Sequence, residues 1–384
     1  EYADELNNLG VRVSALENRV GNVKLTGDAR IRYRYQSEGD KVKAKDLGKV
    51  ASVENAKGTA VANKKQDNDG SWDYRVRIRA NAQVNDRTNV VYGITTGVRS
   101  FADNGPASEE NNVTTDRAYV DYNFGGNNWD LMVGRYEYIM GGPRSYGFLY
   151  GDTFDGAQLK YQNDKFAATA GYGKFKEGAI AGYDDEDQMD GVKTGYGELE
   201  GFFGGGRMAG SAVGVYYNDY TVAGGTNTDK VGAEKLGDGF RFDDSWGAYA
   251  SVNFGKWNLL ANYEKYNSSN DKDSELDGGN DPEVWVGKLT YGAANFATPK
   301  SWDAWVEYLN ADNGFAYDDT TFVGSTNGWR NDSLSNNVKS WGVGVDYTFA
   351  KNAQFQIMQS FATSAKDGDA DPGEETRAQF VFVF

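Results

Sequence analysis

From Trp72 to Val84 every second residue is apolar or small (Trp72, Tyr74, Val76, Ile78, Ala80, Ala82, Val84), and those between are Asp73, Arg75, Arg77, Arg79, Asn81 and Gln83. Period two is the mark of a strand whose two faces meet different surroundings. In a soluble sandwich the apolar face covers a second sheet, whereas in a membrane barrel it meets lipid and the arginines line water. Recurrence separates the two readings. Val23, Leu25, Ala29, Ile31, Tyr33 and Tyr35 alternate with Lys24, Asp28, Arg30, Arg32 and Arg34. Similar runs span 89–100, 116–124, 128–135, 154–162, 165–175, 196–204, 207–219, 246–254, 256–266, 284–295, 301–311, 339–349, 353–363 and 376–384. Together they predict an all-β chain of about sixteen antiparallel transmembrane strands, an even number as single-chain bacterial barrels have.

The connections alternate in length. Tight turns at 85–88, 125–128, 163–164, 204–206, 255–256, 296–300 and 350–352 alternate with long polar segments at 37–71, 101–115, 136–153, 176–195, 220–245, 267–283, 312–338 and 364–375. Short turns on one side and long loops on the other are expected of a barrel whose short side is periplasmic, and both chain ends then fall on that side. Aromatics sit at the ends of many runs, among them Trp72, Tyr122, Phe124, Trp129, Phe254, Trp257, Trp341 and Phe349. Such residues form interfacial girdles in a barrel.

Residues 1–21 differ in kind. Tyr2, Leu6, Leu9, Val13, Leu16, Val20 and Val23 are spaced alternately by four and three, the seam of a coiled coil. The expected domains are therefore a short coiled-coil helix at 1–21 and a barrel at 22–384. Three heptads are short for an isolated coil and would need an attached oligomer; the other reading is a single amphipathic helix packed on the barrel or plugging it.

Composition narrows the function. The 384 residues include 49 glycines and 5 prolines, and no run approaches the roughly 20 apolar residues of a membrane-spanning helix. With no cysteine and no histidine, thiolate zinc sites and the Ser-His-Asp arrangement are impossible. The net charge of −16 opposes nucleic-acid binding. Acidic clusters at 184–187, 271–281 and 367–375 lie between the alternating runs, as solvated loops or as a cation-bridged surface facing lipid headgroups. Asp271 to Glu275 begins like a calcium loop, but Leu276 stands where that loop needs glycine. No enzyme, cofactor or metal is expected. The chain starts at Glu1 without a signal peptide, which points to upstream sequence having been removed.

The chain ends Gln379-Phe380-Val381-Phe382-Val383-Phe384, which resembles the C-terminal signal read by the barrel assembly machinery, with Phe380, Phe382 and Phe384 carrying it. Val133-Gly134-Arg135, the segment 136–153 and the run 154–162 resemble the fifth strand, constriction loop and sixth strand of general trimeric porins. Heptads running straight into Gly21-Asn22-Val23-Lys24-Leu25 make the whole similar to the OmpM-type porins of diderm Firmicutes such as Veillonella and Selenomonas. The resemblance implies a homotrimer in outer-membrane lipid, with Leu6, Leu9, Val13, Leu16 and Val20 in its coil and the termini periplasmic. It also implies a tether to peptidoglycan or its polymers through an S-layer-homology domain that this sequence does not contain.

Such a channel needs fixed charges around water rather than a reaction centre. The expected basic wall is Lys24, Arg30, Arg32, Arg34, Arg75, Arg77, Arg79, Arg99, Arg117 and Arg135. Across from it the constriction loop would present Glu137, Tyr138, Arg144, Tyr146 and Asp152. Expected first is a diffusion porin for small hydrophilic solutes and ions; alternatives are a structural tether with a plugged barrel, or a sugar-specific channel using Tyr136, Tyr138, Tyr146, Phe148 and Tyr150 as a stacking track.

Overall fold

The computed structural model describes residues 22–37, 39, 70–101, 113–175, 192–204, 210–222, 242–268, 281–312, 329–330, 334–366 and 371–384. The heptads with Leu6, Leu9, Val13, Leu16 and Val20, the acidic run 184–187 and most of 271–281 lie outside these residues.

Every alternating run is a strand. They are β1 (Val23–Gln36), β2 (Ser71–Asn85), β3 (Thr88–Thr95), β4 (Thr114–Phe124), β5 (Trp129–Ile139), β6 (Gly151–Gln162), β7 (Phe166–Phe175) and β8 (Val192–Phe203). The second half comprises β9 (Ser211–Val222), β10 (Phe242–Phe254), β11 (Trp257–Ser268), β12 (Glu283–Gly292), β13 (Trp302–Ala311), β14 (Val338–Ala350), β15 (Ala353–Ala365) and β16 (Glu375–Val383). The pair Arg99–Ser100 resumes β3 beyond a break, facing Tyr74 and Asp73 on β2, so the seventeen hydrogen-bonded segments make sixteen strands.

Each strand pairs antiparallel with its sequence neighbours, and β1 pairs with both β2 and β16, closing the barrel. The last residue fastens the seam: Gly27 N donates to Phe384 O at 2.8 Å and Phe384 N to Gly27 O at 3.0 Å. Gly27 is required there, because a Cβ would stand 2.3 Å from the Arg77 carbonyl oxygen and 2.5 Å from the Phe384 ring. The tight turns use left-handed backbone, as at Gly255 (φ 62°), which lets Phe254 pair with Trp257 across two residues.

Closure sorts the two faces. Leu25, Ile31, Ile78, Val120, Val133, Leu199, Val215, Leu259, Val345 and Phe380 are all exposed on the outer alternation, a larger apolar surface than a water-facing monomer tolerates. Aromatics bound this belt. On the short-turn side Tyr122, Phe124, Trp129, Tyr161 and Phe166 follow one another at ring separations of 5.0–6.0 Å. On the long-loop side Trp285, Tyr308 and Trp341 lie 5.0 and 4.8 Å apart. The Phe380, Phe382 and Phe384 side chains are exposed on the outside near the seam.

Candidate functional site

The inner alternation of β16, β1 and β2 gathers Arg377, Arg30, Arg32, Arg34, Arg75 and Arg77, with Arg79 and Arg117 beyond. Strand carboxylates share them. Asp28 accepts from Arg77 Nε at 2.7 Å and from Arg75 at 3.1 Å. Asp73 accepts from Arg32 Nε at 2.8 Å, with Arg30 at 3.8 Å, and Glu375 accepts from Arg34 at 3.2 Å. Asp116 takes Arg79 at 2.9 Å and Arg117 at 3.1 Å, and Arg117 also reaches Glu137 at 3.1 Å. The register forces this sharing, since a one-residue slip would carry every arginine of a strand to the outer face.

The opposite half of the interior is filled from within. Loop 140–150 leaves β5, closes on itself through Met140 N to Tyr150 O at 3.0 Å, and turns inward. Its backbone is held by acids and amides of distant strands. Gly141 N donates to Glu198 at 3.0 Å, Tyr146 N to Asn262 at 3.1 Å, and Leu149 N to Glu264 at 3.1 Å. Beneath it Tyr136, Tyr138, Phe154, Phe175, Tyr196 and Tyr216 form a buried aromatic layer. Phe154 lies so close over β6 and β7 that a Cβ at Gly173 would stand 2.6 Å from its ring.

Several expectations change here. Arg144 does not face the basic wall: it donates to Glu200 at 3.2 Å and covers the Phe202 ring at 4.8 Å, both on β8 behind the loop. Tyr138 and Tyr146 are buried, Tyr138 donating to Asn218 at 3.1 Å and Tyr146 to Glu307 at 2.9 Å. Burial, reinforced by Glu307, pushes the Tyr146 hydroxyl well above the usual phenol range, so it stays a donor. Tyr136, Tyr138, Tyr146, Phe148 and Tyr150 are only 1–5% exposed, so they make a packed layer and present no stacking track. Asp152 accepts from the Thr153 amide at 2.7 Å.

A second inward segment escaped the sequence reading. Trp329 and Arg330, within the long connection after β13, both donate to Glu307 Oε1, at 3.3 and 3.1 Å. Trp329 packs on Trp305 at 5.7 Å, and its carbonyl accepts from Arg377 at 2.7 Å. The available signal was Trp329-Arg330 inside a long connection, together with glutamates at inner positions of β8, β11 and β13.

Two residues assigned to the basic wall lie elsewhere, and Lys24 keeps the inner alternation, opposite Asn81, but stands exposed at the short-turn end of β1, away from the arginines. Arg99 stands opposite Tyr74, on the outer alternation of β2. Arg135 shares its face with exposed Val133, opposite to that of buried Tyr136, and forms a two-pronged pair with Asp155 at 2.6 Å. Gly134, with φ 125°, precedes it without shifting the register.

No known family profile matches the chain, and no curated protein does either. Solved structures do match in shape. OprB of Pseudomonas putida is 11% identical with a TM-score of 0.58, over 98% of this chain and 96% of its own. Salmonella typhi OmpF, solved in complex with daunomycin, is 13% identical with a TM-score of 0.57, over 95% and 99%. The outer-membrane channel DcaP of Acinetobacter baumannii is 14% identical with a TM-score of 0.51, over 94% and 97%. The chain thus has the barrel fold of these outer-membrane porins and channels.

Proposed function

We propose that this chain is an outer-membrane diffusion porin, passing small hydrophilic solutes and ions between the arginine wall of β16, β1 and β2 and the docked loop 140–150. The observation that carries the reading is the division of the closed barrel into an apolar outside and a charged inner wall, on which Arg34, Arg75, Arg77 and Arg79 keep 19–32% of their side chains exposed while Arg32, Arg117 and Arg377 are buried behind them. Conductance of the detergent-purified protein in a planar bilayer tests it. Stable open steps are expected. A silent membrane would favour the plugged structural tether, a reading that the inward Trp329–Arg330 segment makes worth testing.

Self-association draws support from the outer face of β4–β6. With a strand rise of about 3.3 Å and a tilt of about 40°, Arg135 stands roughly 15 Å above Trp129, inside an apolar band about 25 Å tall. A charged pair at that depth is costly against hydrocarbon and far less so against protein. A homotrimer, as in the OmpM-type porins that the sequence resembles, covers such a surface. On the same resemblance the heptads of residues 1–21 would form its periplasmic stalk, and the fuller protein would tie the membrane to peptidoglycan.

A further inference from the structure

Six guanidinium groups crowd three strands of the inner wall: Arg377 on β16, Arg30, Arg32 and Arg34 on β1, Arg75 and Arg77 on β2. Two pairs stand directly opposite one another across the ladder, Arg30 facing Arg75 and Arg34 facing Arg377. Like charges in directly opposed positions destabilise a sheet. The described carboxylates among them are three, Asp28, Asp73 and Glu375, so three positive charges remain in excess. The shortfall is local. Arg30 has its nearest carboxylate oxygen at 3.8 Å and its Nε has no partner, while Arg377 donates only to neutral oxygens, of Trp329 and Gln379.

The acids half-way round the barrel do not offset this charge. Glu264 and Glu307 are fully buried under loop 140–150 and the Trp329–Arg330 segment, where the loop amides, Tyr146, Trp329 and Arg330 already occupy them. Glu200 is taken by Arg144. Asp121, Asp130, Asp303 and Asp346 also take the inner alternation, but towards the short turns; at the level of the loop the charge reaching the water is therefore set by the arginines, in an enclosure that strengthens it.

We propose that this arginine wall is an anion site: the channel prefers anions, and a small multivalent oxyanion bearing phosphate or carboxylate groups rests against the water-facing Arg34 and Arg75 as it passes, with the buried charges of Arg30 and Arg377 behind them. Guanidinium suits the task, because it stays charged among its like and presents planar donor pairs that match an oxyanion's edge. The anion also adds countercharge beside the two opposed pairs, in which only Arg34 and Arg75 hold a carboxylate within 3.2 Å. The site is one of transit, since conduction needs binding weak enough for release.

The inference rests on the porin reading, and one experiment separates the two. The full chain is placed in a planar bilayer under a KCl gradient, and inorganic phosphate is then added to one side. Expected are a reversal potential on the chloride side and a concentration-dependent fall in chloride current. Arg377→Gln removes a charge that no described carboxylate pairs with, so it orphans no acid. It should lower the chloride-to-potassium permeability ratio by up to about sevenfold, since one unit charge through water at about 7 Å is worth a factor of about three on each ion, in opposite senses; Arg30→Gln should act in the same direction. An open channel that prefers potassium, that phosphate leaves unblocked, or whose selectivity neither substitution moves, overturns the anion site and leaves the pore standing. A membrane that stays silent removes the pore itself.

Discussion

One carboxylate holds both inward segments in place. Glu307 is inaccessible to solvent, and it accepts from the Tyr146 hydroxyl at 2.9 Å, Trp329 Nε1 at 3.3 Å and Arg330 Nε at 3.1 Å. Removing it strands a buried guanidinium, a change that costs about 3–5 kcal/mol. Glu307→Ala should therefore lower the urea midpoint of the vesicle-inserted barrel, read through tryptophan fluorescence, by far more than Tyr146→Phe, whose single lost bond is worth about 1 kcal/mol. Glu307→Gln should fall between them, because the amide still accepts a hydrogen bond but no longer balances Arg330. Equal midpoints for Glu307→Ala and the parent would mean that packing, and not this carboxylate, fixes the loop.

At the scale of elements, the alternation of β2 is a statement about depth. Ile78 lies midway along its outer face and is 40% exposed. Ile78→Arg should lower barrel stability in vesicles by about 2–4 kcal/mol, the cost of arginine at the midplane. The same change at Val84, beside the short turn, should cost at most about 1 kcal/mol. If the two cost the same, the outer face does not meet hydrocarbon. This constraint also explains what the sequence disclosed. Lipid on one face and water on the other leave period two along Trp72 to Val84 and every other run, so all the strands could be read directly. Their ends could not: β8 begins at Val192 rather than 196, and β9 runs from Ser211 to Val222 rather than over 207–219. Beyond the apolar band no solvent contrast marks the chain, and hydrogen bonding alone continues the ladder. The docking of loop 140–150 was hidden for another reason. Its partners Glu198, Asn262, Glu264 and Glu307 lie on three separate strands, β8, β11 and β13, and at inner positions a glutamate bound to a loop amide reads like one bathed in water. Arg135 misled because alternation was not counted through Gly134.

For the whole molecule, the outward Arg135–Asp155 pair distinguishes a lone barrel from an assembled one by the sign of a single effect. If lipid surrounds it, replacing both residues with leucine removes two charges from hydrocarbon, so the barrel should become more stable and its oligomeric state should not change. If a second copy covers β4–β6, the same double substitution removes polar groups matched across an interface, and the oligomer should weaken while the isolated barrel holds. The trimer reading predicts the second outcome. Mass measurement of the detergent-solubilised protein should show a trimer for the parent and a shift towards monomers for Arg135→Leu with Asp155→Leu, with conductance per barrel retained. Deleting residues 1–20 is the companion test, because the heptads are the other candidate holding copies together. If that deletion alone yields monomers and the leucine pair does not, the coil carries the assembly. If only the leucine pair does so, the barrel wall carries it.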